Sequence, residues 1–600
     1  MILGCNFWAS NAGTEMWRQF DTEVIENDFK VLREHGVEYL RVFPNWRDFQ
    51  PVEPLYSGGS NFERYQLSGD RKPTNKYYLD DDMLDEFGIF CDLAEKYDMK
   101  LIVGLLTGWM SGRMFIPPII CGKNVVKDPE CLYFEQLYIE GLVETFKDKA
   151  AIYAWDHGNE CHCMGGAENF VDASMWTRML SNAVRAHDTT RPLITGINSL
   201  TADGTWRFDE QADACDMLVT HPYPLWGTHT KNDRMNYIRT TLYSAAINKL
   251  YSDIGKKPCF IVETGTMGPC ICSEDFAADF LRVNYFSSWA NGNDCLLWWC
   301  ANEQDMLMTT PYTWTMVENE LGMRFSDGSP KPVLKDMKRL SEIDIDLPEA
   351  DTDAVCLLTA DQDGWGVSYM TYVLSKQAGL NIEFADANKE IPESDVYMMP
   401  SIKGSRVLSK ENYLELKKRV YNGAKLYISY DGGILMGFED LTGNKVIDSE
   451  FSGYSDTITI NGKEIPFNAN MHLYYENTRS EQIDTPHITV APYGKGKVYF
   501  VDFPVEAMLI DKHRAFSNNV CEIYKRIFKD EIDSHIIKVN NENVALTIHQ
   551  DGDRVLAIAV NHSECTQKID FVTDCELVKV HYGNIDSTKA LDAVLVEFKK

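Results

Sequence analysis

Short apolar runs alternate with amphipathic stretches eight times between residue 1 and about residue 347, a pattern that fits a closed (β/α)₈ barrel. The apolar runs fall at 2–7, 39–43, 100–105, 152–156, 193–196, 217–220, 259–263 and 295–299. They are continuous rather than alternating, as strands of a parallel sheet covered on both faces must be. Between the first two runs, Ile25, Phe29 and Leu32 recur on one helical face and Gly36 stops the helix. Before the third run, Met83, Phe87, Phe90 and Ala94 do the same.

A chain of 600 residues is too long for one core. A second alternating block, 351–532, has strands at 355–359, 381–384, 396–399, 425–429 and 497–502, with helices at 370–378 and 409–421. It reads as an open, flavodoxin-like α/β domain. From 535 to 600 the period changes to that of strands, at 545–549, 554–560 and 577–581, with Gln550-Asp551-Gly552-Asp553 as a hairpin turn. This is a small antiparallel β-domain.

The net charge of −32 argues against nucleic acid and anionic membranes as partners. No run of about 18 apolar residues is present. The start, MILGCNFWASNAGTEMW, has no basic segment followed by a long apolar one. A cytoplasmic protein is expected, with its 16 cysteines as reduced thiols.

In a barrel of this kind the chemistry sits at the carboxyl ends of the strands. The fourth run ends Trp155-Asp156-His157-Gly158-Asn159-Glu160, and the seventh ends Phe260-Ile261-Val262-Glu263. Two carboxyl groups thus arrive at one rim. A retaining glycosidase needs such a pair, one acid for the leaving oxygen and one nucleophile, about 5–5.5 Å apart. Glu160 is read as general acid/base, with a raised pKa, and Glu263 as nucleophile, kept ionised. Unrelated rim carboxylates are the ordinary alternative.

Asn159-Glu160 after the fourth strand and Glu263 at the end of the seventh resemble the signature of the clan of (β/α)₈ retaining glycosidases. That clan includes family 5 cellulases, mannanases and mannosidases and family 42 β-galactosidases. The resemblance implies that Arg41 supports the nucleophile and that His221 and Tyr223 lie near it. It implies a Trp platform under the sugar at Trp298-Trp299, with Trp298 the favoured ring. Asn159 is placed to bond a sugar 2-hydroxyl. Trp8 and Trp109 are further sugar-binding candidates. For Arg41 a buried ion pair, for His221 a satisfied rim position and for the Trp rings core packing are the alternatives.

Gly4-Cys5-Asn6-Phe7-Trp8 and Trp46-Arg47-Asp48-Phe49-Gln50-Pro51 resemble the bacterial β-mannosidase-like branch of family 5. Cys161 departs from it, since many members have Pro after Asn-Glu. The segments 395–401, 408–409 and 422–429 resemble the middle domain of family 42, which is related to class I glutamine amidotransferases and forms a trimer. The turn after the fourth strand of that domain, Tyr430-Asp431-Gly432-Gly433, has no nucleophilic Cys, so no amidotransferase activity is expected.

Family 42 enzymes often carry a zinc cluster of cysteines. Here Cys161-x-Cys163 and Cys270-x-Cys272 lack the usual spacing, and free thiols are expected, with no metal and no cofactor. The combined expectation is an exo-acting retaining β-glycosidase on oligosaccharides or glycosides, a β-mannosidase first and a β-galactosidase second. A catalytically dead sugar-binding barrel is the rival of another class. A homo-oligomer, a trimer by the family 42 resemblance, is expected.

Overall fold

A computed structural model describes residues 1–600. The chain forms two compact units, one of residues 1–223, 255–281 and 293–344, the other of 224–254, 282–292 and 345–600.

The first unit carries eight parallel strands: β1 (Ile2–Asn6), β2 (Tyr39–Val42), β3 (Lys100–Gly104), β4 (Ile152–Asp156), β5 (Leu193–Ile194), β6 (Leu218–Thr220), β7 (Cys259–Ile261) and β8 (Cys295–Trp298). They pair in the order β6-β7-β8-β1-β2-β3-β4-β5, and a parallel bridge from Ile194 to Met217 closes β5 onto β6. The ring is therefore the (β/α)₈ barrel expected. Its interior is packed with Ile102, Ala154, Ile194, Val219, Phe260, Val262, Cys295 and Leu297, so it is a core and not a pore.

The first helix shows why the local sequence folds as it does. Asp21 caps it through the amides of Glu23 and Val24, and Ile25, Phe29 and Leu32 are buried. Each such side chain contributes about 1.5–3 kcal/mol by leaving water.

Two strands stop two residues short of their apolar runs. β5 ends at Ile194 because the chain then turns to the rim, where the Gly196 carbonyl accepts from the Cys161 amide at 3.0 Å. β7 ends at Ile261 because the Val262 carbonyl is taken by the Asn6 side chain at 2.8 Å instead of the ladder. Glu263 thus stands two residues past its strand. The loops after β2 and β3 hold two hairpins that apolar periodicity did not reveal, Val52–Ser57 with Asn61–Leu67 and Trp109–Met110 with Arg113–Met114.

The second unit holds a seven-stranded sheet of β9 (Ala354–Leu358), β10 (Ile382–Asp386), β11 (Val396–Ile402), β12 (Lys425–Tyr430), β13 (Glu481–Ile483), β14 (Thr485–Tyr493) and β15 (Gly496–Val501). The order is β10-β9-β11-β12-β15-β14-β13, with the five flavodoxin-like strands parallel and β14 and β13 antiparallel at one edge. The buried Glu506 carboxylate accepts from Ser401, Tyr427, Ser429 and Tyr524, tying β11 and β12 to the helix Cys521–Ile527. A hairpin arm within 444–477 was not anticipated. A four-stranded antiparallel sheet follows, ordered β16 (Val544–Asp551), β17 (Arg554–Asn561), β19 (Asp592–Lys599), β18 (Glu576–Tyr582). Gly552, at φ 61°, makes the turn read from the sequence. No helix is long and apolar enough to cross a membrane.

Candidate active site

The rim of the barrel gathers a buried polar cluster around Arg41, which is fully buried on β2. Its Nε donates to Asp156 Oδ2 at 2.8 Å, and its Nη1 donates to Glu263 Oε1 at 2.8 Å and to Asn159 Oδ1 at 3.1 Å. A buried guanidinium flanked by two carboxylates is fixed in direction as well as in charge. Asp156 was not singled out from the sequence, although it stands four residues before Glu160.

The turn that presents Glu160 is dictated by packing. A Cβ on Gly158 would lie 2.1 Å from the Leu106 carbonyl oxygen, so only glycine fits there. Glu160 itself takes φ 44°, an uncommon left-handed conformation for a non-glycine residue. Its Oε1 accepts from Asn198 Nδ2 at 3.0 Å and lies 3.0 Å from His221 Nδ1, and its Oε2 accepts from Trp109 Nε1 at 3.3 Å.

Glu263 Oε2 accepts from the Tyr223 hydroxyl at 2.9 Å and stands 3.5 Å from His221 Nδ1. One oxygen of Glu160, one ring nitrogen of His221 and one oxygen of Glu263 lie within 4.8 Å of one another. An approach this close is compatible with the arrangement of retaining glycosidases, whose two carboxyl groups lie about 5–5.5 Å apart.

The charge states differ from those expected. Burial alone would raise the Glu160 pKa, but the hydrogen bond and charge of His221, the charge of His162 and the Trp109 indole outweigh it and bring it down to about 2. Glu263 is instead pushed up by burial and by the charge of Glu160, against the lowering effect of His221, Arg41 and Tyr223. Burial is the largest influence on both groups; the lowering contacts outweigh it at Glu160 and do not at Glu263. Burial and the neighbouring Glu263 together hold the Tyr223 phenol protonated, as a donor must be.

Of the aromatic candidates, Trp109 touches Glu160 directly. Trp8 is 1% exposed and stacks on Phe43 at 5.2 Å, with its indole nitrogen buried and unpartnered. Cys295 and Leu297 fill the barrel interior, so the strand period turns Trp298, the ring favoured from the sequence, away from it; its indole lies 3.7 Å from the Cβ position of Gly265, in the loop after β7. Trp299 is the ring at the rim, donating from Nε1 to Glu318 Oε2 at 3.3 Å. Asn159, whose Nδ2 donates to the Trp109 carbonyl at 3.2 Å, braces the loop after β3 as well as Arg41.

Asn198 and Glu318 escaped the sequence reading, because each lies in a loop with no periodicity or motif to mark it. Burial pushes Glu318 up to about 7, the charges of Glu263 and Glu160 adding to it against hydrogen bonds from Ser111 and Trp299. Of the four cysteines near the two Glu residues, Cys161 is buried against the Leu106 carbonyl, while Cys163 and Cys270 are exposed.

No family model matches the chain. It is 23% identical, over 49% of its own length and 67% of the relative's, to mannan endo-1,4-β-mannosidase F of Aspergillus clavatus. It spans 36% of the length of two other Aspergillus relatives of the same description. In fold it is similar to an exo-β-1,4-mannosidase from Opitutaceae bacterium strain TAV5, with TM-score 0.73 and 19% identity over 88% of this chain and 96% of that one. It is similar too to a cold-adapted β-galactosidase from Rahnella sp. R3, with TM-score 0.73 and 12% identity over 100% of this chain and 98% of that one. The chain therefore has the (β/α)₈-barrel fold of the glycoside hydrolase clan that holds families 5 and 42, with sequence similarity to mannan endo-1,4-β-mannosidases over about half of its length.

Proposed function

We propose that the protein is a retaining exo-β-glycosidase, a β-mannosidase, with Glu263 as nucleophile and Glu160 as general acid/base. The observation that carries this reading is the approach of one oxygen of each carboxyl group to within 4.8 Å of the other beside a shared His221.

In the first step a Glu263 oxygen attacks the anomeric carbon while the leaving oxygen takes a proton from Glu160, and a glycosyl ester forms. In the second, Glu160 removes a proton from water, which attacks the same carbon and frees Glu263. Arg41 and Tyr223 orient the nucleophile and receive its charge when the ester breaks. His221 Nδ1, 3.0 Å from Glu160 Oε1, is placed to pass a proton to the acid.

Mannose is favoured by the similarity to mannan-cleaving relatives and to the Opitutaceae exo-mannosidase. A β-galactosidase is the second reading, favoured by the full-length likeness to the Rahnella enzyme. A panel of aryl β-glycosides (mannoside, galactoside, glucoside, fucoside) tests both. Fastest turnover of the mannoside is expected; fastest turnover of the galactoside would select the second reading, and no turnover of any would leave a dead barrel.

The same proposal extends to setting and assembly. Sixteen free cysteines suit the cytoplasm. A homotrimer through the second unit is supported by the exposed Ile434, Met436, Ile447 and Phe451 on that unit. Light scattering giving the monomer mass of 68.5 kDa would rule the trimer out.

A further inference from the structure

The loop after β8 carries a third acidic side chain into the neighbourhood of the two proposed catalytic ones. Glu318 ends the short helical turn Met316–Glu318. It feels the charges of both Glu160 and Glu263, and its hydrogen-bond donors are the neutral indole of Trp299 and hydroxyl of Ser111. Partly exposed, it keeps acceptor capacity for a ligand. Two oxygens of one carboxylate match two adjacent hydroxyls of a sugar ring.

Its place on the rim gives direction. In the barrel order β8, β1, β2 and β3 are consecutive neighbours. Ser111 lies in the hairpin after β3, so its bond to Glu318 joins the loops of β3 and β8 across the ends of β1 and β2. The same two loops approach again where a Cβ on Gly112 would lie 4.0 Å from Thr315 Oγ1. The rim is thus bridged on that side. Glu160 rises from β4, on the side where the departing group must receive its proton. A terminal sugar therefore has its non-reducing end toward Glu318.

We propose that Glu318 binds two adjacent hydroxyls of the non-reducing terminal sugar and, with Ser111, closes the site after that sugar, so that only chain ends are cleaved. This rests on the glycosidase reading and adds the residue that selects the chain end. Its near-neutral titration fits a group that gives up water for sugar hydroxyls.

The test uses the full-length protein and the aryl β-glycoside that it hydrolyses fastest, with analogues deoxygenated singly at C3, C4 and C6. The wild type should lose about 100-fold or more in kcat/KM on removal of each of two adjacent hydroxyls, because an acceptor that the bound sugar covers is left unpaired. Glu318→Ala should compress that discrimination to within a few fold by losing activity on the parent glycoside. Glu318→Gln, which keeps the shape and the Trp299 contact, should lose at least about 10-fold on the parent and little on the same two analogues. Mannohexaose should be shortened from one end by the wild type and cut internally as well by a Ser111→Gly/Glu318→Ala variant. Equal discrimination in wild type and both variants would overturn the binding role, and internal cutting by the wild type would overturn the closure. A wild type inactive on every aryl glycoside would instead bring down the glycosidase reading on which both rest.

Discussion

His221 Nδ1 stands 3.0 Å from Glu160 Oε1, and this contact is a main reason that the proposed acid is held low, at about 2, rather than raised. His221→Asn removes that hold, so the basic limb of kcat/KM for glycosides with poor leaving groups, which needs Glu160 protonated, should move to higher pH, by about one unit or more. It should also raise the Glu160 pKa, which would show as protonated carboxyl absorbance in the infrared at pH 5 that Glu160→Gln removes. An unmoved basic limb and no such absorbance would take His221 out of the proton path.

Arg41 owes its aim to Asp156 as much as to Glu263. Asp156→Asn leaves the Nε contact weakened and the guanidinium freer to turn. Activity should drop about 100-fold, since a displacement of about 1 Å at a reacting group costs that much. The first thermal transition should fall as well, because a buried ion pair has lost one charge. Wild-type kcat/KM in this variant would mean that Glu263 is held without Arg41.

The role of Glu160 has a signature in leaving groups. Glu160→Gln should slow hydrolysis of unactivated glycosides by about 100-fold or more and of dinitrophenyl glycosides far less in the glycosylation step, as only the former need a proton. Equal losses, measured by single-turnover kinetics, would move the acid elsewhere.

Away from the site, Glu135 is buried on the helix Pro129–Phe146, with Oε2 accepting from Trp176 Nε1 at 2.9 Å and Oε1 unpartnered. Burial raises its pKa well above the usual value. The folded state then binds this proton more tightly than the unfolded chain. Stability is thus lost as pH rises from the unfolded value of about 4.3 toward the raised folded one. Glu135→Gln removes that loss, so its melting temperature should exceed the wild type's at pH 8, by about 2 °C or more, and match it near pH 4. A gap independent of pH would contradict the assignment.

The barrel strands were legible because continuous apolar runs and amphipathic stretches differ in period, and Glu160 and Glu263 because one stands just beyond such a run and the other ends one. Asp156 was in view within the same run but had no visible partner until β2 and β4 closed around the barrel and set it against Arg41. Glu318 and Ser111 had no local signal at all, since two loops 207 residues apart in number meet only through strand order. Trp298 and Trp299 could be told apart only by knowing which side of β8 faces the core. The low pKa of Glu160 likewise depends on a histidine from another strand.

The central claim, a covalent sugar ester on Glu263, is tested most directly by intact-protein and peptide mass spectrometry. The protein would be treated with a 2,4-dinitrophenyl 2-deoxy-2-fluoro-β-mannoside, or the β-galactoside if the panel favours it. The account predicts one fluorosugar per chain, carried on the peptide containing Glu263 and absent from Glu263→Ala. A label on another residue, or turnover of the parent glycoside with an inverted first product and no label, would contradict it.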